Sequence, residues 1–158
     1  MNVSVKVKPL PHFVGMSLPK YETEGAAGLD VLAALKEGET CEIWPGQRKL
    51  IPTGLKVAIP AGYELQVRSR SGLALRNGIV VANGIGTIDS DYRGEVGVIL
   101  LNTCQPHESD TPFVVKRGAR IAQFVLAPVT RLTWEPVANL DATARGEGAY
   151  GSTGLESV

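Results

Sequence analysis

The chain has 158 residues, and 16 lysines and arginines balance 16 aspartates and glutamates to give no net charge. At this length it forms one domain with a real core. Its 44% hydrophobic and 20% charged content excludes an intrinsically disordered chain. The charge balance offers nothing to draw a nucleic acid or an anionic membrane, so any phosphate recognition has to come from individually placed residues.

In chain order, the pattern predicts strands over residues 3–8, 29–34, 41–44, 48–51, 55–59, 63–68, 79–82, 96–102, 113–115, 121–127 and 132–135. Eighteen glycines and ten prolines punctuate them. Turn signals such as Trp44-Pro45-Gly46, Ile51-Pro52-Thr53-Gly54 and Ile59-Pro60-Ala61-Gly62 close several. Many short strands at this spacing predict an all-β sandwich or barrel. One short helix is expected, with Ser71 as its N-cap and Gly78 just past its end. The run Val96-Gly97-Val98-Ile99-Leu100-Leu101 is apolar on both faces, which requires burial on both sides or a second subunit on one. Cys41 and Cys104 form no C-x-x-C, which fits a reducing compartment. The first eight residues alternate like a strand and lack a signal-peptide block, and no apolar run reaches the roughly 18 residues of a membrane span. A cytoplasmic protein is the expectation.

Several constellations could carry chemistry. Arg68-Ser69-Arg70-Ser71-Gly72-Leu73 sets two arginines before a helix start, where free N–H groups and the helix dipole attract anions. The competing reading is a solvated cap. The stretch from Asn83 to Gly94 joins a polar-glycine turn to Asp89 and Asp91, which share one side if they lie in a strand. It reads either as a hairpin with solvated acids or as a general base beside a base-sized pocket floored by Tyr92. A calcium loop is excluded, because Arg93 and Leu100 occupy the fifth and twelfth positions. Asp30 is an edge residue or an anchor for metal-bound water, and Gln123 alone reads as a solvent-facing strand glutamine. His12 and His107 belong to no H-E-x-x-H motif, which leaves zinc hydrolysis poorly supported.

The segment from Arg145 to Gly154 holds four glycines, an arginine, Tyr150 and the pair Ser152-Thr153. Such a composition cannot bury a core and should be mobile by itself. It reads equally as a Gly-rich tail or as a lid that orders over a phosphorylated aromatic ligand. Gly146, Gly148 and Gly151 match G-x-G-x-x-G, but the strand before, helix after and later acidic residue of a dinucleotide site are missing.

Five blocks stand in a fixed order: Ala27-Gly28-Leu29-Asp30, Arg70-Ser71-Gly72-Leu73-Ala74, Asn83 through Gly94, Gly118-Ala119-Arg120-Ile121-Ala122-Gln123, and Arg145 through Gly154. Together they resemble the homotrimeric deoxyuridine triphosphatase (dUTP diphosphatase) family, from Leu18-Pro19-Lys20-Tyr21 onward. The resemblance implies a jelly-roll-like β barrel over residues 1–141 and a flexible C-terminal arm over 142–158. It implies a homotrimer with active sites at subunit interfaces, which hydrolyses dUTP to dUMP and pyrophosphate with Mg2+. That reaction limits uracil incorporation into DNA and supplies dUMP for thymidylate synthesis. By position, Asp89 would deprotonate the attacking water, and Arg70, Ser71, Gly72 and Gln123 would hold phosphates. Asn83, with the backbone at Thr87, Ile88 and Asp89, would read uracil, and Tyr92 would lie under the deoxyribose. Asp30 would hold metal-bound water without ligating the metal. Arg145 would meet the terminal phosphate and Tyr150 would stack on the base, with Ser152 and Thr153 beside them. Ser69, Thr87, Ala119, Ala149 and Tyr150 depart from the residues usual in the family. The rival readings are a dCTP deaminase-like enzyme of the same barrel family and a non-catalytic nucleotide sensor.

Overall fold

The computed structural model describes residues 2–105 and 110–149. Among them are ten strands: β1 (Lys6–Pro9), β2 (Leu29–Leu32), β3 (Thr40–Ile43), β4 (Arg48–Ala58), β5 (Tyr63–Arg68), β6 (Ile79–Val81), β7 (Ile85–Ile88), β8 (Glu95–Asn102), β9 (Phe113–Lys116) and β10 (Arg120–Pro128). A single α-helix, α1 (Ser71–Asn77), and a 3₁₀ turn at Pro11–Phe13 complete the described elements. Two four-stranded antiparallel sheets, ordered β1-β4-β8-β6 and β2-β10-β5-β7, share one core with the ribbon β3-β9. This is the expected all-β, jelly-roll-like architecture.

Alternation builds the core. In β8, Val96, Val98 and Leu100 point inward and are at most 1% exposed, while Ile99 faces out. Ile51 and Val57 of β4, Leu65 and Val67 of β5, and Ile121 and Phe124 of β10 meet them. Each such burial contributes about 1.5–3 kcal/mol. The outer face of the first sheet keeps an apolar patch, with Leu50 of β4 opposite Ile99 of β8 and 68% exposed.

Four local expectations need correction. Residues 48–51 and 55–59 are not two strands, because β4 runs through Pro52-Thr53-Gly54 as a bulge in its pairing with β8. Thr53 Oγ1 donates to the Val96 carbonyl at 2.6 Å, and the Gly54 N–H donates to Glu95 Oε1 at 2.7 Å. The Pro52 and Gly54 carbonyls accept from Ala34 and Leu10. The turn residues therefore have their backbone groups satisfied without the chain reversing. Gly54 is obligatory here, since its φ is +70° and a Cβ would sit 2.9 Å from Phe13 Cβ.

The α1 N-cap is Arg70, not Ser71, and Gly78 closes the helix in the left-handed conformation. Residues 132–135 form no strand. Leu132 and Trp134 are 68% and 83% exposed, because no neighbouring strand of this chain pairs with them. Finally, Asn83 does not turn a hairpin: β6 belongs to one sheet and β7 to the other, so Ala82-Asn83-Gly84 carries the chain across the sandwich. The loop from Asp89 to Gly94 carries it back to β8, which places Asp89 and Asp91 in a loop and not on one strand face.

Candidate active site

Pairing aligns Asp30 of β2, Gln123 of β10 and Arg68 of β5 in one row across the sheet. Directly opposed residues share a face. Arg70 reaches this row from the start of α1. Its Nε and Nη2 donate to Asp30 Oδ1 and Oδ2 at 3.0 and 3.3 Å, and its Nη1 donates to the Arg120 carbonyl at 3.1 Å. Arg120 places its own Nε 3.5 Å from Asp30 Oδ2. Gln123 Nε2 donates to the Ser69 carbonyl at 3.0 Å, and Ser71 and Gly72 open the helix beside it. Two guanidiniums, a carboxamide and a helix start thus converge on one half-buried carboxylate. Arg120 also meets Glu22 at 3.4 Å, and the remaining guanidinium donors of the cluster suit it to anionic oxygens.

The second group gathers where β7 leaves the sheet. The Gly84 N–H donates to the Val81 carbonyl at 3.0 Å and so holds Asn83 at the crossing. Thr87, Ile88, Asp89 and Tyr92 then line a cleft of about 480 Å³ against Pro52, Gly97 and Ile99. Asp89 and Thr87 also border a second, more polar hollow of about 580 Å³ with Glu64, Asp91 and Arg131. The Tyr92 hydroxyl donates to the Glu95 carbonyl at 2.9 Å, and the Tyr92 N–H meets the Asp89 carbonyl at 3.2 Å. Ile88, Pro52 and Ile99 make one part of the cleft apolar, and Asp89 adds an exposed carboxylate.

The two groups lie at opposite ends of β5. Arg68 pairs with Ile85 and Leu65 with Ile88, so Asp89 stands four residues along the sheet from the Asp30 row, about 13 Å. Arg70 lies a further two residues beyond Arg68. Arg145 joins neither group: it is exposed, and its Nε donates to the Gly148 carbonyl at 3.0 Å. Tyr150, Ser152 and Thr153 lie outside the described residues. No group of three or more metal-binding side chains occurs among the described residues.

Sequence reasoning missed several supporting residues. Arg120 grips Asp30 from the far side. Ser69 Oγ accepts the Val81 N–H at 2.8 Å and so ties the start of α1 to β6. His12 and Glu95 pair at 2.8 Å beneath the Tyr92 loop. For Glu95 the available sequence signal is a charged residue opening the largely apolar β8.

Comparison with known proteins now adds to this geometry. A sequence model of the dUTPase family matches residues 15–154. Among curated proteins, a deoxyuridine 5'-triphosphate nucleotidohydrolase of Maricaulis maris is 52% identical over 155 residues, covering 98% of this chain and 99% of that protein. One from Methylocella silvestris is 50% identical over 156 residues, covering 99% and 94%. Among solved structures, a dUTPase variant of Staphylococcus bacteriophage 80alpha with dUpNHpp superposes with a TM-score of 0.79 at 25% identity, covering 98% of this chain and all of that one. A dUTPase variant from phage phi11, whose structure concerns coordination of a structural Mg(II) ion, gives 0.72 at 24% identity over 87% of this chain and 98% of that one. With the family match spanning most of the chain and two full-length relatives at half identity, this chain belongs to the dUTPase family.

Proposed function

We propose that this protein hydrolyses dUTP to dUMP and pyrophosphate, as a homotrimer whose active sites are completed between subunits. The activity follows from membership of the dUTPase family and from relatives carrying that activity in their names. A dCTP deaminase-like or purely sensory role is not favoured by these relatives. The consequence is less dUTP for DNA synthesis and more dUMP for thymidylate.

The observation that carries the trimeric reading is the split of the site along β5. Asp89 and Tyr92 stand at one end and the Asp30–Arg70–Gln123 cluster at the other. In this reading the Asp89 cleft of one copy faces the phosphate cluster of another. A neighbouring copy supplies the missing half. The apolar outer face at Leu50 and Ile99, and the exposed Leu132 and Trp134, provide the surface such an assembly buries.

In this reading Asp89 holds the attacking water and takes its proton. Arg70, Ser71, Gly72 and Gln123 of a neighbour hold the phosphates in line for attack. Asn83 and the backbone at Thr87 and Ile88 read the uracil edge. Tyr92 lies under the deoxyribose. Arg145, Tyr150, Ser152 and Thr153, from the arm at 142–158, contact the terminal phosphate and the base, and residues 1–141 form the barrel.

A divalent metal fits this donor set as a group carried by the triphosphate, and we take it to be Mg2+. In the phosphate cluster Glu22 is taken up by Arg120 Nη2 at 3.4 Å, and Asp30 already accepts from Arg70 at both oxygens. It retains acceptor capacity for a metal-bound water and supplies no cage of its own. When bound, the ion neutralises charge on the phosphate oxygens. Among the described residues no helix is long and apolar enough to cross a membrane, and both cysteines are free thiols. The free thiols are consistent with our proposal of a cytoplasmic enzyme.

The decisive experiment is a pyrophosphate-release assay with dUTP, UTP, dCTP and dTTP, with and without Mg2+. Release from dUTP well above the other three supports the reading. Ammonia from dCTP, or no turnover of any nucleotide, overturns it.

A further inference from the structure

Glu95 is the first residue of β8, and its carboxylate does two things at once. Oε1 accepts the Gly54 N–H at 2.7 Å, a donor that the β4 bulge has removed from the strand ladder. The same oxygen accepts from His12 Nε2 at 2.8 Å, and both side chains are only about 30% exposed (30% and 29%). The backbone carbonyl of Glu95 then accepts the Tyr92 hydroxyl at 2.9 Å. His12 is itself held in place: Arg117 donates to the carbonyls of His12 at 2.8 Å, of Val14 at 2.7 Å, and of Leu35. A continuous chain of hydrogen bonds therefore runs from Arg117 through the 3₁₀ turn and the His12–Glu95 pair to the Tyr92 ring.

Tyr92 needs such support. It is 43% exposed and sits in an irregular loop, where a ring with two rotatable bonds has little packing to confine it. The ring folds back over Gly94, where any Cβ would collide with the phenol. Its hydroxyl has one backbone acceptor, and that acceptor is only as fixed as the start of β8.

We propose that the His12–Glu95 pair is a positioning device for Tyr92 and so sets how strictly the enzyme rejects a ribose 2'-hydroxyl. This rests on the reading that Tyr92 meets the deoxyribose. Glu95 borders the Tyr92 cleft, but its carboxylate is engaged by Gly54 and His12, and the reading gives neither side chain a substrate contact. Both act through the ring. An aromatic surface excludes an added hydroxyl by contact, so the rejection depends on where the ring is held. Slack in the ring should remove a measurable part of it. The test measures kcat and KM for dUTP and UTP in wild type, Glu95→Ala, Glu95→Gln, His12→Ala and Tyr92→Phe. In Glu95→Ala and Tyr92→Phe the dUTP-over-UTP ratio of kcat/KM should fall about tenfold, the scale of one lost hydrogen bond. KM for dUTP should rise more than kcat falls. His12→Ala should move the same way by less. Glu95→Gln keeps an acceptor for the Gly54 N–H and should restore most of the ratio. Ring-labelled tyrosine NMR of the ligand-free protein should show the Tyr92 signal, identified by its loss in Tyr92→Phe, shifted or broadened in Glu95→Ala and recovered in Glu95→Gln. A purely structural role would lower stability and leave ratio and signal alone. An unchanged ratio with an unchanged Tyr92 signal in folded Glu95→Ala or His12→Ala overturns the inference. A wild type that fails to hydrolyse dUTP overturns the functional reading instead, and the NMR signal still decides whether Glu95 positions the ring.

Discussion

Asp30 and Arg70 are 40 residues apart in sequence, yet Arg70 Nε lies 3.0 Å from Asp30 Oδ1 and a second guanidinium nitrogen meets the other oxygen. Asp30 therefore sets the direction in which Arg70 presents its remaining donors. Their side chains are 20% and 29% exposed, so solvent screens the pair and its stability contribution is about 1 kcal/mol or less. Its value lies in orientation. Asp30→Asn should change unfolding free energy little but lower kcat/KM for dUTP roughly tenfold, because misplaced phosphate contacts cost far more in rate than in stability. Paired denaturation and kinetic measurements check this. Equal losses in both would contradict it.

Asp89→Asn keeps the shape of the cleft edge and removes the base. Folding and dUTP binding should persist, with turnover down about 10²- to 10⁴-fold. Calorimetric titration with a non-hydrolysable dUTP analogue, alongside steady-state rates, separates the two. Near-normal turnover would move the role to Asp91, which borders the neighbouring hollow.

Shared sites predict complementation. Asp89→Asn and Arg70→Ala chains should each be nearly inactive, but co-refolded in equal amounts they should regain about a quarter of wild-type activity, since one site in four then draws an intact half from each partner. Light scattering should report a trimer. A monomer with full activity, or no recovery on mixing, would count against interfacial sites.

Gly54 has a φ of +70° and faces Phe13 Cβ at 2.9 Å and Ala34 Cβ at 3.0 Å for any added Cβ. Gly54→Ala should destabilise the barrel by about 2 kcal/mol or more, from backbone strain and from displacement of the buried Phe13. Thermal unfolding of the variant beside wild type measures it.

Truncation after Asp141 should leave a folded trimer, because every described residue beyond it is exposed. It should abolish most activity, since Arg145, Tyr150, Ser152 and Thr153 are lost together. Tyr150→Ala alone should weaken binding of the dUTP analogue by roughly 1–3 kcal/mol, the scale of one base–aromatic stack. A truncated chain as fast as the intact one would make the arm irrelevant to catalysis.

Much of this protein was legible in one dimension. Short apolar runs between turn signals announced most of the strands, but Val96 to Leu101 is apolar on both faces, so only the fold showed that Val96, Val98 and Leu100 point inward. Phosphate- and base-binding residue types sat in five ordered blocks, and the family match extends across them. The pattern misled where local signals had two solutions. Pro52-Thr53-Gly54 reads as a turn, yet the side chains of Thr53 and Glu95 satisfy a bulge there and the strand continues. Asn83-Gly84 reads as a hairpin, yet β6 and β7 find partners in different sheets. Hydrogen-bond partners come from distant sequence, and only the folded chain selects them. The same holds for Asp30 with Arg70 and Arg120, for His12 with Glu95, and for the Asp30 row and Asp89, set at the two ends of β5. Residue types decide what chemistry is available, and pairing across the sheets decides where each piece of it stands.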